Sequence, residues 1–175
     1  MPLETRTYDL AEELEDLRDR RDELAEQVAG LDEANPGYQE VLSEGQEVDN
    51  HIAGLEWALE EWTDGDEETV EVTLAGLTGG EYGRVQDRVA GTDKGGGAAR
   101  VHLVASGTVD APHHDRTAEY EANLAAASQL PFQYLKWAEA QVNDLTSVGG
   151  NGGRSFAALV QEKRSASDET SPGTT

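Results

Sequence analysis

The chain reads as a mainly α protein: an N-terminal antiparallel helical hairpin with a coiled-coil seam, then a small helical domain with one short strand, then a disordered C-terminal tail. Three observations predict this. Apolar residues recur three and four apart through the first 62 residues, interrupted by the helix breaker Asn35-Pro36-Gly37. Val70 to Leu74 alternates apolar with polar residues, the period of a half-buried strand. Beyond it, further helical spacings end at a glycine cluster, Gly149 to Gly153.

The hairpin comes first, over residues 1–63. Leu10, Leu14, Leu17, Leu24, Val28 and Leu31 form one stripe, with Arg21 its polar interruption. Val41, Val48, Ile52, Leu55, Leu59 and Trp62 form the second, with Gly45 filling one slot. Such spacing puts one seam on each helix, and a short turn brings the two seams together. The outer faces are almost wholly charged. Thr63 to Glu68 then reads as a polar linker.

Residues 69–148 form the body. Val70, Val72 and Leu74 make a strand for which no clear partner strand is visible. Thr78-Gly79-Gly80-Glu81 has the capping-box form, in which hydroxyl and carboxylate satisfy backbone donors at a helix start. Tyr82, Val85 and Val89 line one face of the helix that follows, to about Ala90. Gly91 to Gly97 reads as a loop, and Ala98 to Ser106 as a short apolar run that fits either helix or strand, with helix preferred. Gly107 to Pro112 reads as a turn leading into His113-His114-Asp115. Arg116 to Gln129 is an alanine-rich helix. Pro131 suits the first position of the next helix, because its missing N–H would be unpaired there anyway. Leu135, Ala138, Val142 and Leu145 give that helix its buried face, extended by Tyr134 and Trp137. Residues 149–175 comprise a glycine spacer, a short amphipathic helix with Phe156, Leu159 and Val160, and a polar tail.

Charge narrows the function. The chain has 36 acidic and 13 basic residues, a formal charge of −23. Residues 1–68 hold 23 acidic and 4 basic residues, so the hairpin carries most of the excess. Such a surface repels phosphate backbones and anionic lipid, which argues against nucleic-acid and membrane partners. Lysine is scarce, with only Lys94, Lys136 and Lys163, against 10 arginines. The acidic excess reads either as a solvated face with an interaction role or as adaptation to molar salt, which screens self-repulsion. Few lysines, many carboxylates, many small residues and no cysteine resemble a haloarchaeal proteome and favour the second. No stretch is long and apolar enough to span a bilayer, and Met1 to Thr5 lacks the marks of a secretion signal. The expected location is cytoplasmic.

Catalytic equipment is not apparent. Without cysteine there is no thiolate nucleophile and no zinc–sulfur site. His113-His114-Asp115 offers three metal-ligating residue types, but adjacent side chains rarely converge on one ion, and a polar loop is the better reading. His51 lies four residues after Glu47 and reads as half of a surface pair. His102, within an apolar run, reads as a satisfied core histidine. Gly79-Gly80 and the 149–153 cluster lack the remaining residues of dinucleotide and phosphate-loop fingerprints. No cofactor or metal is expected, and the chain reads as a binding protein, not an enzyme. For the aromatic residues Trp57, Trp62, Phe132, Tyr134 and Trp137, core packing is the default. Trp62, at the end of the hairpin seam, is placed to dock the hairpin on the body.

The order of motifs between Val70 and Leu145 resembles the tail assembly chaperones of head-tailed viruses. The stretch Val70 to Thr78 followed by Glu81-Tyr82 is similar to that family's strand and helix start. Leu103 to Pro112 resembles its central apolar segment, and Leu130-Pro131 leading to Leu135, Ala138, Val142 and Leu145 resembles its closing helix. The resemblance covers about 76 of 175 residues, and the family does not usually carry an acidic hairpin in front. It implies a protein that binds the tape-measure protein, keeps it soluble while the tail tube protein polymerises around it, and then leaves. The tail tube protein is a further implied partner. Separately from the resemblance, the hairpin stripes leave open packing on a second copy of the chain as a homo-oligomer. Leu77, Tyr82, Leu135, Trp137, Val142 and Phe156 are the candidate contacts. The rival reading is a structural virion protein, a head–tail adaptor or tail component, with the hairpin as a permanent docking element. It differs in location: host cytoplasm for a chaperone, the virion for a component.

Overall fold

A computed structural model describes residues 4–63, 69–90 and 95–148. The described residues form six helices and a three-stranded antiparallel sheet of order β1-β2-β3. In chain order these are β1 (Thr5–Asp9), α1 (Leu10–Gly30), α2 (Tyr38–Trp62), β2 (Glu71–Ala75), α3 (Gly79–Ala90), α4 (Gly95–Gly107), β3 (Thr108–Asp110), α5 (Tyr120–Ala127) and α6 (Phe132–Val148). None of the helices is long and apolar enough to cross a membrane, among the described residues.

The strand at Val70 to Leu74 is therefore not alone, which corrects the one-strand expectation. Its first partner lies at the start of the chain, with Thr5 opposite Ala75 and Asp9 opposite Glu71. Only Tyr8 of β1 is buried, so this edge strand carries almost no hydrophobic signature. Backbone pairing holds it, with a cross-strand contact between the Thr7 and Thr73 hydroxyls at 2.8 Å. The second partner, β3, occupies what reads as a turn after Gly107, and the ladder slips between Thr73 and Leu74.

β1 runs directly into α1. Asp9 is the N-cap, its carboxylate accepting from the Ala11 and Glu12 amides. Leu10 N–H donates to the Val70 carbonyl at 3.0 Å, tying the helix start to β2. α1 packs along α2, with Arg18 reaching Glu56 at 2.8 Å and Arg20 reaching Glu44 at 2.7 Å across the pair. α3 starts at the capping box: the Thr78 amide and hydroxyl donate to Glu81 at 2.8 and 2.7 Å, and Glu81 N–H donates back to the hydroxyl at 3.2 Å. α4 resolves the Ala98–Ser106 run as a helix, which begins earlier than expected, at Gly95. The alanine-rich helix is shorter than expected, since Asp115 and Asn123 hold residues 115–118 in turns.

α6 is the central element. Its Tyr134, Trp137, Ala138 and Val142 are fully buried. α2 approaches it so closely at Gly54 that an added Cβ would lie 2.5 Å from the Tyr134 nitrogen. Gly76, just after β2, meets the Leu145 carbonyl at the same distance. One hydrophobic cluster runs from Tyr8 and Leu10 through Ile52, Leu55, Val72 and Leu74 to Leu103, Trp137 and Val142. The α1/α2 pair and the body therefore share a core at their junction.

Candidate functional site

The contact between α1 and α2 is not filled evenly. Near the sheet, Leu10, Leu14, Val48, Ile52 and Leu55 are buried, with Leu17 and Leu59 packed against them. Towards the connecting turn, Val28, Leu31 and Val41 are only half-buried. There the helices enclose an apolar cleft of about 350 Å³, lined by Leu24, Ala25, Val28 and Ala29 of α1 and by Val41, Leu42 and Gly45 of α2. Arg21, Gln46 and Asp49 supply its polar lining. Ala25, Ala29 and Gly45 are the small residues that leave room between the larger Leu24, Val28, Val41 and Leu42. At Gly45 an added Cβ would meet nothing within 4 Å. Around it the surface is acidic, with exposed Glu23, Glu26, Glu44 and Glu47. An open apolar cleft within a negative surface suits a partner's apolar side chains.

The other end of α2 is an aromatic junction. Trp62 stands edge-on to Tyr134 at 5.0 Å, edge-on to Trp57 at 5.4 Å, and stacks on His113 at 5.5 Å. Tyr134 and Tyr8 both reach Trp137 at 5.6 Å. Trp62 therefore does join α2 to the body, in contacts that favour edge-to-face packing. Burial raises the Tyr134 pKa far above its ordinary value and keeps the hydroxyl protonated. Its oxygen and the Trp137 Nε1 have no hydrogen-bond partner among the described residues.

Of the residues put forward as partner contacts, Leu77, Leu135, Trp137 and Val142 lie in the core, at 0–6% exposure. They hold the fold together and present no surface to a partner, so that assignment is corrected: helical spacing marks a buried face without saying what buries it. Tyr82 is exposed. Phe156, with the rest of residues 149–175, lies outside the described residues.

The histidines also move. His51 is buried, 8% exposed, instead of sitting in a surface pair with Glu47. Its Nε2 is unpartnered among the described residues, and burial lowers its pKa. The helical register could have revealed this, since Val48 and Leu55 stand three before and four after it. His113 turns into the aromatic junction, which corrects the polar-loop reading. His114 bridges back to Ala111, and Asp115 accepts from the Thr117 amide and hydroxyl. The side chains of His113 and Asp115 thus take separate environments, while His114 is tied to Ala111 through its backbone. Among the described residues no group of three or more metal-ligating side chains converges. His102 is half-buried, its Nδ1 2.8 Å from the Tyr120 hydroxyl. No family model matches this sequence, and neither a curated protein nor a solved structure matches it.

Proposed function

We propose that this chain is a protein-binding assembly factor whose α1/α2 pair acts as an antiparallel hairpin with an incomplete coiled-coil seam. The observation that carries this reading is the open apolar cleft at Gly45, set within a strongly acidic helical surface. A partner helix can place one or two apolar side chains there and complete the seam. The carboxylates around the cleft favour a segment with basic flanks and disperse the complex once it forms. On the resemblance noted above, the partner is the tape-measure protein of a head-tailed virus with a haloarchaeal host. Such a protein exposes apolar helical stripes until the tail tube covers them, and a solubilising partner prevents its aggregation. The site of capture then moves from the body to the hairpin.

The test is co-expression of the full chain with the tape-measure protein in a halophilic host, followed by affinity purification in molar salt. Wild-type chain should hold the tape-measure protein in solution. Gly45→Leu, which fills the cleft from a position where an added Cβ meets nothing within 4 Å, should lose it while keeping wild-type helicity. Equal recovery with both versions would remove the cleft from the mechanism. Recovery of portal or tube subunits from finished particles would instead make the protein a virion component.

A further inference from the structure

A second cleft, sharing no lining residue with the first, concentrates positive charge in a chain of net charge −23. It has a volume of about 450 Å³ and lies between α3, the end of α4, β3 and α5. Arg84 and Arg88 come from α3, where Glu81, Arg84, Val85 and Arg88 fall on one face at helical spacing. Arg116 comes from the loop after β3. The chain has only 13 lysines and arginines, so three in one cleft is a marked local excess.

Two of these arginines are held in place. Arg116 donates from Nε to the Val109 carbonyl at 3.1 Å and pairs with Asp110 at 2.7 Å. The Arg88 guanidinium lies 4.0 Å from the centre of the Tyr120 ring, and the Tyr120 hydroxyl is fixed on His102. Neither Arg84 nor Arg88 takes part in an ion pair among the described residues. The one carboxylate in the lining, Glu81, is engaged by Thr78 in the capping box. The Asn123 amide is spent on both backbone groups of Asp115. Glu81 acts on Arg84 electrostatically but spends its hydrogen bonds on Thr78. Among the described residues both guanidiniums therefore keep their donors free of a carboxylate within 4 Å and are placed for an anion from outside.

We propose that this cleft binds a compact oxyanion of the phosphate type, gripped by Arg84 and Arg88, with Arg116 adding the donor that Val109 and Asp110 leave free. Guanidinium forks match the oxygen spacing of such a group and bind it through charge-assisted hydrogen bonds. An acidic polypeptide offers similar oxygens but brings its whole charge against the −23 of this chain, whereas a small anion brings only one or two charges. Inorganic phosphate and phosphate monoesters share the chemistry, and the volume accommodates either.

The experiment is a titration of the full, isotope-labelled chain followed by amide NMR, at ionic strength held constant with potassium chloride. Inorganic phosphate, ribose 5-phosphate and polyglutamate are the three probes. Phosphate should give saturable shifts centred on the amides of Ser106, His114, Ala118 and Asn123. Arg84→Gln and the Arg84→Gln/Arg88→Gln pair alter exposed side chains, and circular dichroism checks that both remain folded. The pair should weaken binding about tenfold or more, whereas Arg18→Gln on α1 should leave it unchanged. Tighter binding of ribose 5-phosphate than of phosphate would support the site and assign it to monoesters. No saturation by either phosphate probe, or equal titration of the wild type and both variants, would overturn the proposal. Saturation by polyglutamate alone would overturn it too and give the cleft to an acidic protein segment.

Discussion

Burial holds the His113 imidazole at a pKa of about 4, with a smaller contribution from neighbouring His114. Both ring nitrogens are buried without a hydrogen-bond partner among the described residues, and the ring stacks on Trp62. The unfolded chain takes up this proton near the usual value of 6.5, while the folded chain refuses it until about 4. Stability from the neutral ring is therefore intact above pH 6.5 and is lost progressively as pH falls towards 4. The full loss amounts to at most about 3 kcal/mol. His113→Phe keeps the stacked ring and removes the titration. Urea midpoints measured from pH 7 to 4 should fall less steeply for the variant than for the wild type. His51 and the many carboxylates titrate in both proteins, so the difference between the curves isolates His113. Parallel curves would show that the ring is solvated and charges freely.

The elements differ in how much their sequences disclose. Both long helices are legible because 3-4 spacing runs through Leu10, Leu14, Leu24, Val48, Ile52 and Leu55, all of them buried. α3 is legible from its capping box, which forms as written. β1 and β3 are not, since pairing holds them: one residue of β1 faces the core, and β2 lies more than sixty positions further along. Nor can spacing separate a core face from a docking face, which is why Leu135 and Trp137 read as either. The arginine cleft is half visible, in the Arg84–Arg88 face of α3; Arg116 joins it only through the fold. Glycine shows the same limit, because two positions in α2 look alike and behave oppositely. At Gly54 an added methyl would strike the backbone of Gln133 and Tyr134 in α6. At Gly45 it would meet open space. Gly54→Ala should therefore force α2 and α6 apart and cost about 1–3 kcal/mol or more. Gly45→Ala should stabilise the helix by up to about 1 kcal/mol. Thermal unfolding followed by circular dichroism distinguishes them, and a destabilised Gly45→Ala would mean that the seam closes there in solution.

On the scale of the whole molecule, charge is concentrated where the long helices lie. Residues 1–68 carry 23 acidic residues against four arginines, Arg6, Arg18, Arg20 and Arg21. Each arginine already lies within 4 Å of a carboxylate, as in Arg6–Glu13, Arg18–Glu56, Arg20–Glu44 and Arg21–Asp22. These pairs are largely exposed, and each contributes no more than about 1 kcal/mol. They cannot offset a surplus of 19 negative charges in the same region. Repulsion among the rest falls as salt shortens the Debye length, from about 30 Å at 0.01 M to about 3 Å at 1 M. The melting temperature should therefore climb steeply between dilute buffer and roughly 1 M potassium chloride, where screening is nearly complete. Any gain beyond that point reflects strengthened apolar burial, which sulfate would enhance more than chloride. Replacing exposed Glu12, Glu15, Asp16 and Asp19 of α1 with their amides should flatten the first part of the curve and leave the second unchanged. A melting temperature independent of salt from the outset would mean that the carboxylates are spaced widely enough not to oppose folding. The acidic surface would then serve partner binding alone, and the haloarchaeal reading would lose its physical basis.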